Sequence, residues 1–275
     1  MKLWYQSTSR QMWGAYNRVL RELLDGVRDP ETQIEVHGIR SAGNVLRDLE
    51  ELERETVLAN VRRAAQMGFE AFLIGSIADP GLAEARELVD IPVLGLGETA
   101  LHVAGMIGSR LAIVAIGESR ASHLIENASR YGFTEKLAAV EELRIDRRNL
   151  QLGFDDLDTR HDLVGQFQRI GDIASRAGAD VIIAASSMMM ALLAYAQIDE
   201  TAAGTPIVDG IAHLVKLGEM AIKVNRVLGG RFTEDRIPIA VELLRSYDAI
   251  PRSAPGRGST ASVVPSPTVG RFKAS

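Results

Sequence analysis

The sequence predicts an α/β fold of two similar lobes, each a mostly parallel sheet flanked by helices. Three observations carry this. Short β-rich runs alternate with longer amphipathic runs along the chain. Several strand runs are apolar without interruption, as parallel strands covered on both faces are. A nine-residue pattern also returns 110 residues later, which marks a half-chain repeat. Parallel strands require right-handed crossovers. In open sheets of this kind ligands bind beyond the carboxyl ends of the strands, so the loops after strands are the ones to inspect.

Lys2–Tyr5 reads as a first strand. Gln11–Val27 follows as a helix, with Trp13, Tyr16, Leu20, Leu23 and Leu24 at helical spacing. Gln33–His37 is a second strand, and Val45–Met67 a long helix with Leu46, Leu49, Leu52, Leu58 and Val61 on its apolar side. Within it, Glu50-Glu51-Leu52-Glu53-Arg54-Glu55 reads as a solvated face. Ala71–Gly75 is an apolar strand. Asp79-Pro80-Gly81 then opens a helix, with Asp79 as its cap and Pro80 in its first turn. Val93–Leu96, Leu111–Ala115, Leu137–Leu143, Val181–Ala185 and a short Pro206–Val208 are further strands. Leu157–Arg176 and Ile211–Val227 are helices between or after them. Met188-Met189-Met190 either lines a pocket or opens a buried helix, and the buried helix is favoured. Residues 1–98 with about 209–250 are assigned to the first lobe and 99–208 to the second.

The chain has 275 residues, enough for one large domain or two small ones. It contains no cysteine, which excludes disulfides, thiolate metal sites and thiol nucleophiles. Residues 251–275 hold four of the 31 basic residues and no acidic one, so the rest of the chain carries −9 against −5 overall. Rich in Pro, Gly, Ser and Thr, that segment cannot offset its chain entropy by burial and is expected to be a disordered tail. The acidic body argues against a broad nucleic-acid surface. No apolar run approaches the ~20 residues needed to span a bilayer, and polar residues follow Tyr5 at once, unlike a signal peptide. A cytoplasmic protein without membrane partners is expected.

The repeat aligns Gly68-Phe69-Glu70-Ala71-Phe72-Leu73-Ile74-Gly75-Ser76 with Gly178-Ala179-Asp180-Val181-Ile182-Ile183-Ala184-Ala185-Ser186. Each copy is a glycine turn, an acidic residue, an apolar strand and a terminal serine. Ile91-Pro92-Val93-Leu94-Gly95 is echoed by Thr205-Pro206-Ile207-Val208-Asp209-Gly210. Two facing lobes would make Ser76 and Ser186 pseudo-equivalent across one cleft.

These segments resemble the aspartate/glutamate/hydantoin racemase superfamily. The resemblance rests on Gly75-Ser76-Ile77-Ala78-Asp79-Pro80-Gly81-Leu82, on Ile91-Pro92-Val93-Leu94-Gly95-Leu96-Gly97-Glu98, and on Gly178–Ser186 with Pro206–Gly210. It is nearest the hydantoin racemase branch and covers most of residues 1–228. It implies two lobes related by a pseudo-twofold, with the active-site cleft between them. It also implies a small-molecule substrate, no cofactor, and a homo-oligomer. In such racemases a cysteine ends the equivalent strand in each lobe, one removing a proton beside a carbonyl and the other returning it. Here Ser76 and Ser186 stand at those positions. A thiol titrates near ~8.5 and serves as a base once tuned, whereas a serine hydroxyl is a far weaker acid and needs a partner base. The two-thiol mechanism therefore does not carry over.

Ser76 and Ser186 are the expected catalytic pair, as oxyanion holders or proton relays, with helix capping as the plainer alternative. Ile77 and Ser187 follow them and would present N–H groups and a hydroxyl near helix starts. The loop Gln6-Ser7-Thr8 follows the first strand, and the resemblance extends carboxylate binding to Ser7, with Gln6 beside it. Glu98 opens a helix after a strand, and either faces the cleft or stabilises the helix dipole. His37 ends the second strand and is a cleft candidate, with Arg40 in the same loop. His102, one turn after Glu98, could complete a Glu–His pair but reads better as a core histidine. His213 likewise reads as packing, and Asp209 is a further titratable candidate. No P-loop, dinucleotide fingerprint or metal-ligand spacing occurs. Three functions stay open: an isomerase or racemase-type enzyme acting on a small carboxylate or cyclic amide through an enolate-like intermediate, a serine-dependent hydrolase of a small amide or ester, and a non-catalytic ligand-binding relative.

Overall fold

A computed structural model describes residues 1–7, 14–39, 46–116 and 118–230. Along the chain it places β1 (Lys2–Ser7), α1 (Gly14–Val27), β2 (Gln33–His37), α2 (Leu46–Gln66), β3 (Ala71–Gly75), α3 (Leu82–Leu88), β4 (Val93–Gly95) and α4 (Leu96–Ile107). There follow β5 (Leu111–Ile116), α5 (Glu118–Arg130), β6 (Leu137–Leu143), α6 (Arg147–Leu152), α7 (Leu157–Arg176), β7 (Val181–Ala185), α8 (Ser187–Tyr195), β8 (Ile207–Val208) and α9 (Gly210–Val227). The expected tail at 251–275, the far end of the first lobe at 231–250, Trp13 and Arg40 lie outside the described residues.

The strands form two parallel four-stranded sheets with the same order, β2-β1-β3-β4 and β6-β5-β7-β8. This is the expected two-lobed α/β architecture. The repeat has a physical basis. Gly68 (φ +77°) and Gly178 (φ +96°) close α2 and α7 in a left-handed turn that glycine adopts without a Cβ penalty. The next N–H groups, of Phe69 and Ala179, bond back to Ala64 and Ala174 at 3.0 and 3.1 Å. The acidic residue of each copy then grips the start of the neighbouring strand. Glu70 Oε2 accepts from Lys2 N–H at 3.0 Å, and Asp180 Oδ1 from Arg110 N–H at 2.9 Å. Phe72 and Ile182 each donate 2.9 Å bonds to the carbonyls of Pro92 and Pro206, which align the fourth strands.

Period-two alternation splits the first sheet between two cores. Trp4, Phe72 and Ile74 pack under α2 and α3 with Val57, Val61, Leu82 and Ala85. Leu3, Tyr5, Ala71 and Leu73 face the other way, into a larger core that runs on through β5 and β7. Burying each of the Leu, Ile, Val and Phe side chains contributes roughly 1.5–3 kcal/mol. α4 packs against both β3 and β7, joining the sheets, while α9 returns to the first sheet with Gly218 against Leu73 and Leu3. Met188, Met189 and Met190 are buried at the start of α8, as favoured. No helix among the described residues is long and apolar enough to cross a membrane.

Three expectations are corrected. β4 ends at Gly95, and Leu96 already belongs to α4. The cap of α3 is Gly81, not Asp79. Asp79 adopts φ +50°, which turns its carboxylate away from α3 and onto the first N–H groups of α4. His102 is exposed rather than core, with its ring edge-on to Phe133 and Nδ1 2.8 Å from the Glu98 carbonyl.

Candidate active site

Strand order reverses between β1 and β3, and between β5 and β7, and such switch points are where open α/β sheets bind ligands. Ser7 is the last residue of β1, in register with Gly75. Ser76 follows β3, and Ser186 follows β7. All three serines are buried.

The two repeat serines have different partners. Ser186 caps α8: its Oγ accepts from Met189 N–H at 3.4 Å and its carbonyl from Met190 N–H at 2.8 Å. Ser76 Oγ instead donates to Glu53 Oε2 at 3.3 Å. That is longer than the usual ~2.7–2.8 Å for a hydroxyl. Glu53 is only 9% exposed, which corrects its reading as part of a solvated charge run. The linear run conceals it, but helical spacing shows it. Glu53, Val57, Val61 and Ala64 lie on one stripe of α2, and all are buried.

Ser187, which begins α8, and Ser7, which ends β1, both lie beside the Tyr16 hydroxyl and oppose the effect of its burial. Tyr16 is 2% exposed, and burial raises its hydroxyl above the ordinary range. Its ring stands edge-on to Phe154, 5.4 Å between centroids. This tyrosine, which the sequence showed only as one apolar position of α1, brings candidate residues from both sheets to one point. Tyr16→Phe would remove a hydroxyl buried beside these serines, so a loss of about 1–3 kcal/mol in urea-denaturation stability is expected. Nearby, Tyr5 is fully buried against Gly75, and among the described residues its hydroxyl has no bonding partner.

Gln6 is buried and its amide is fully used. Oε1 accepts from Trp4 Nε1 (3.2 Å) and Asn60 Nδ2 (2.8 Å), and Nε2 donates to the carbonyls of Ser7 (3.2 Å) and His37 (3.0 Å). The His37 ring stacks on Trp4 at 3.4 Å and 7°, with Nε2 3.6 Å from Glu35. Burial holds its pKa below the ordinary value. Ile77 is buried in the apolar contact between α4, Ile113 and Ile183. Glu98 is paired with Arg86, Nη1 to Oε1 at 3.0 Å. Glu98, Glu53 and Asp79 all line one cavity of about 600 Å³ between α2, α3, α4 and α5. Asp209 caps α9 through a 3.0 Å bond from Ala212 N–H, and His213 is half-buried above it.

Asp79 is the most constrained carboxylate. Oδ1 accepts from Gly97 N–H at 2.8 Å, and Oδ2 from Glu98 N–H at 2.6 Å and the Tyr131 hydroxyl at 2.9 Å. Desolvation outweighs these donors and pushes its pKa up to about 7. Asn127 Nδ2 also donates to the Ala78 carbonyl at 3.0 Å, so α5 clamps the loop that carries Ser76. Among the described residues no three His, Asp or Glu side chains gather as a metal site.

Comparison with known proteins places these features. The family model for Asp/Glu/hydantoin racemases matches residues 14–218. The chain is 25% identical over 174 residues to a hydantoin racemase of Pseudomonas sp. (strain NS671), covering 62% of this chain and 65% of that protein. It is 28% identical over 163 residues to a hydantoin racemase of Rhizobium meliloti, covering 59% and 64%. The chain thus spans just under two thirds of the length of these relatives. The crystal structure of an allantoin racemase from Pseudomonas fluorescens superposes with a TM-score of 0.68, covering 94% of this chain and all of that one at 16% identity. That likeness concerns the fold. Matched by the family model along most of its length, the chain belongs to the Asp/Glu/hydantoin racemase family.

Proposed function

We propose that the protein is a racemase- or isomerase-type enzyme for a small carboxylate or cyclic amide of the hydantoin or allantoin kind. It removes a proton beside a carbonyl, passes through an enolate-like intermediate, and uses no thiol and no cofactor. The observation that carries this reading is the placement of Ser76 and Ser186 at the ends of β3 and β7, equivalent strands of two sheets with one topology. The relatives named hydantoin racemase support the substrate class. Backbone N–H groups at the start of α8 and the hydroxyls of Ser7 and Ser187 suit a carboxylate or imide oxygen.

Hydrolysis is the second reading, favoured by the carboxylate beside Ser76 Oγ. One experiment separates the two. The protein is incubated in deuterated water with chiral hydantoins, allantoin, amino acids and substituted malonates, and followed by NMR. Deuterium at the α-carbon, lost at least a hundredfold in Ser76→Ala and Ser186→Ala, is expected, since positioned acid–base groups contribute ~10²–10⁴. Consumption of an amide or ester without exchange would replace this reading with the hydrolase.

A further inference from the structure

The repeat makes Ser76 and Ser186 equivalent in position, yet their surroundings make them chemically unequal. Ser76 Oγ points its proton at Glu53 Oε2, 3.3 Å away, while Ser186 Oγ uses a lone pair to accept Met189 N–H at 3.4 Å. A hydroxyl bonded to a carboxylate has an acceptor ready for its proton. One that accepts an amide N–H keeps its own proton to donate. Glu53 is anchored on the buried stripe of α2, one turn before Val57.

We propose that the site uses a single base: Glu53, acting through Ser76, takes the substrate proton, while Ser186 donates a hydrogen bond to the developing oxyanion. The step balances within the residues present. The substrate C–H bond breaks and its electron pair stays behind as the enolate. The proton bonds to Ser76 Oγ as the Ser76 hydroxyl proton passes to Glu53, which becomes neutral. The reverse step returns a proton to the same face. Inversion needs a proton on the opposite face, which a solvent water supplies while neutral Glu53 returns its proton to the resulting hydroxide, and is the slower event. This rests on the enolate chemistry proposed above. In deuterated water one enantiomer therefore exchanges its α-hydrogen faster than it inverts, and its mirror image shows no such excess.

A test free of that chemistry uses the absence of cysteine. Ser76→Cys and Ser186→Cys each introduce one thiol, whose ionisation is followed by its reaction with a disulfide reagent across pH. The thiol beside Glu53 is expected to titrate above the ordinary ~8.5, and the thiol at the start of α8 below it. Adding Glu53→Gln to Ser76→Cys is expected to lower its midpoint by about one unit, the effect of removing a like charge in contact. Added to Ser186→Cys it leaves the midpoint unchanged. In the natural serine background Glu53→Gln is expected to lower exchange at least a hundredfold and Glu53→Asp to recover part of it. Should Glu53→Gln fail to fold, Glu53→Asp with Ser76→Cys carries the thiol test, because the shorter chain draws the carboxylate off and lowers the midpoint. Coincident midpoints, or exchange that survives Glu53→Gln, overturn the assignment of Glu53. Split midpoints with no exchange of any substrate leave the asymmetry standing and overturn the enolate reading instead.

Discussion

Gly97→Ala is expected to cost about 3 kcal/mol or more of stability, the upper end for overpacking a filled site. A Cβ there would lie 2.3 Å from the Ile77 carbonyl oxygen and 2.8 Å from Asp79 Oδ2. The first of these is backbone, and it cannot swing aside. Ile77 sits in the tight loop closed by Asp79 N–H to Ser76 carbonyl at 3.1 Å and clamped by Asn127 on Ala78. Relief must come from moving α4 away or from dragging the residue next to Ser76. The melting temperature is therefore expected to fall by roughly 6–12 °C for a domain of this size, and the proposed exchange activity to fall with it. Gly26→Ala is the control. A Cβ at exposed Gly26, within α1, meets nothing within 4 Å, so a gain of about 0.5–1 kcal/mol is expected from helix propensity. A melting temperature for Gly97→Ala within about two degrees of the natural protein would show that the α4 junction yields more readily than close-packed backbone should.

Asp79 is expected to make stability fall as pH rises toward neutrality. Its carboxyl has an ordinary value of 3.8 and about 7 in the fold, burial being the largest cause. The folded state thus holds a proton that the unfolded chain has released across that window, and linkage makes stability decrease wherever this is so. The contribution is complete below pH ~4, is lost between ~4 and ~7, and is flat above. At ~1.4 kcal/mol per unit it amounts to about 4 kcal/mol. The neutral acid keeps its contacts, since the carboxyl O–H can donate to Tyr131 in place of the bond it accepts. Asp29, Asp156 and Asp180 act in the opposite sense, because hydrogen-bond donors hold them below the ordinary range. Only the difference between natural protein and Asp79→Asn isolates the one group. An asparagine amide turns its NH₂ toward one of the two α4 N–H groups, so at pH 4 the variant is expected to lose about 1–3 kcal/mol. By pH 8 that deficit should vanish or reverse, as the natural carboxylate ionises and gives up its about 4 kcal/mol. Urea denaturation at pH 4, 6 and 8 measures it, and a deficit constant with pH would refute the burial argument. Glu98, Tyr131 and Arg130 surround the group and are unchanged in both proteins.

What could be read from the sequence follows how local each determinant is. β3, β6, β7 and α7 have the bounds their apolar runs and helical spacing predict, because both signals lie within the element. The start of α4 could not be read this way. Its cap is supplied by Asp79, 18 residues earlier, through a bond to Gly97 that only the folded chain makes. Glu53 was hidden for a related reason: read along the line it belongs to a charge run, and read around the helix it shares a stripe with Val57 and Val61. The repeat located Ser76 and Ser186 but not the difference between them, since neither Glu53 nor Met189 N–H is distinguished by the repeat. Tyr16 sits at an ordinary apolar position of α1, and nothing in the line of the sequence places its hydroxyl beside Ser7 and Ser187.

The return of α9 to the first sheet has a consequence for how the protein is made. Leu3 and Leu73 leave the ribosome early, but the helix that covers them, seated through Gly218, leaves only after the whole second sheet. At about 5–20 residues per second, that face of the nascent first sheet waits on the order of ten seconds for its partner. The Trp4 and Phe72 face, by contrast, is covered by α2 and α3, which are synthesised beside it. A newborn chain should therefore be half-finished in a specific way, sealed on one side and adhesive on the other, and the adhesive side is where a holding chaperone would find it.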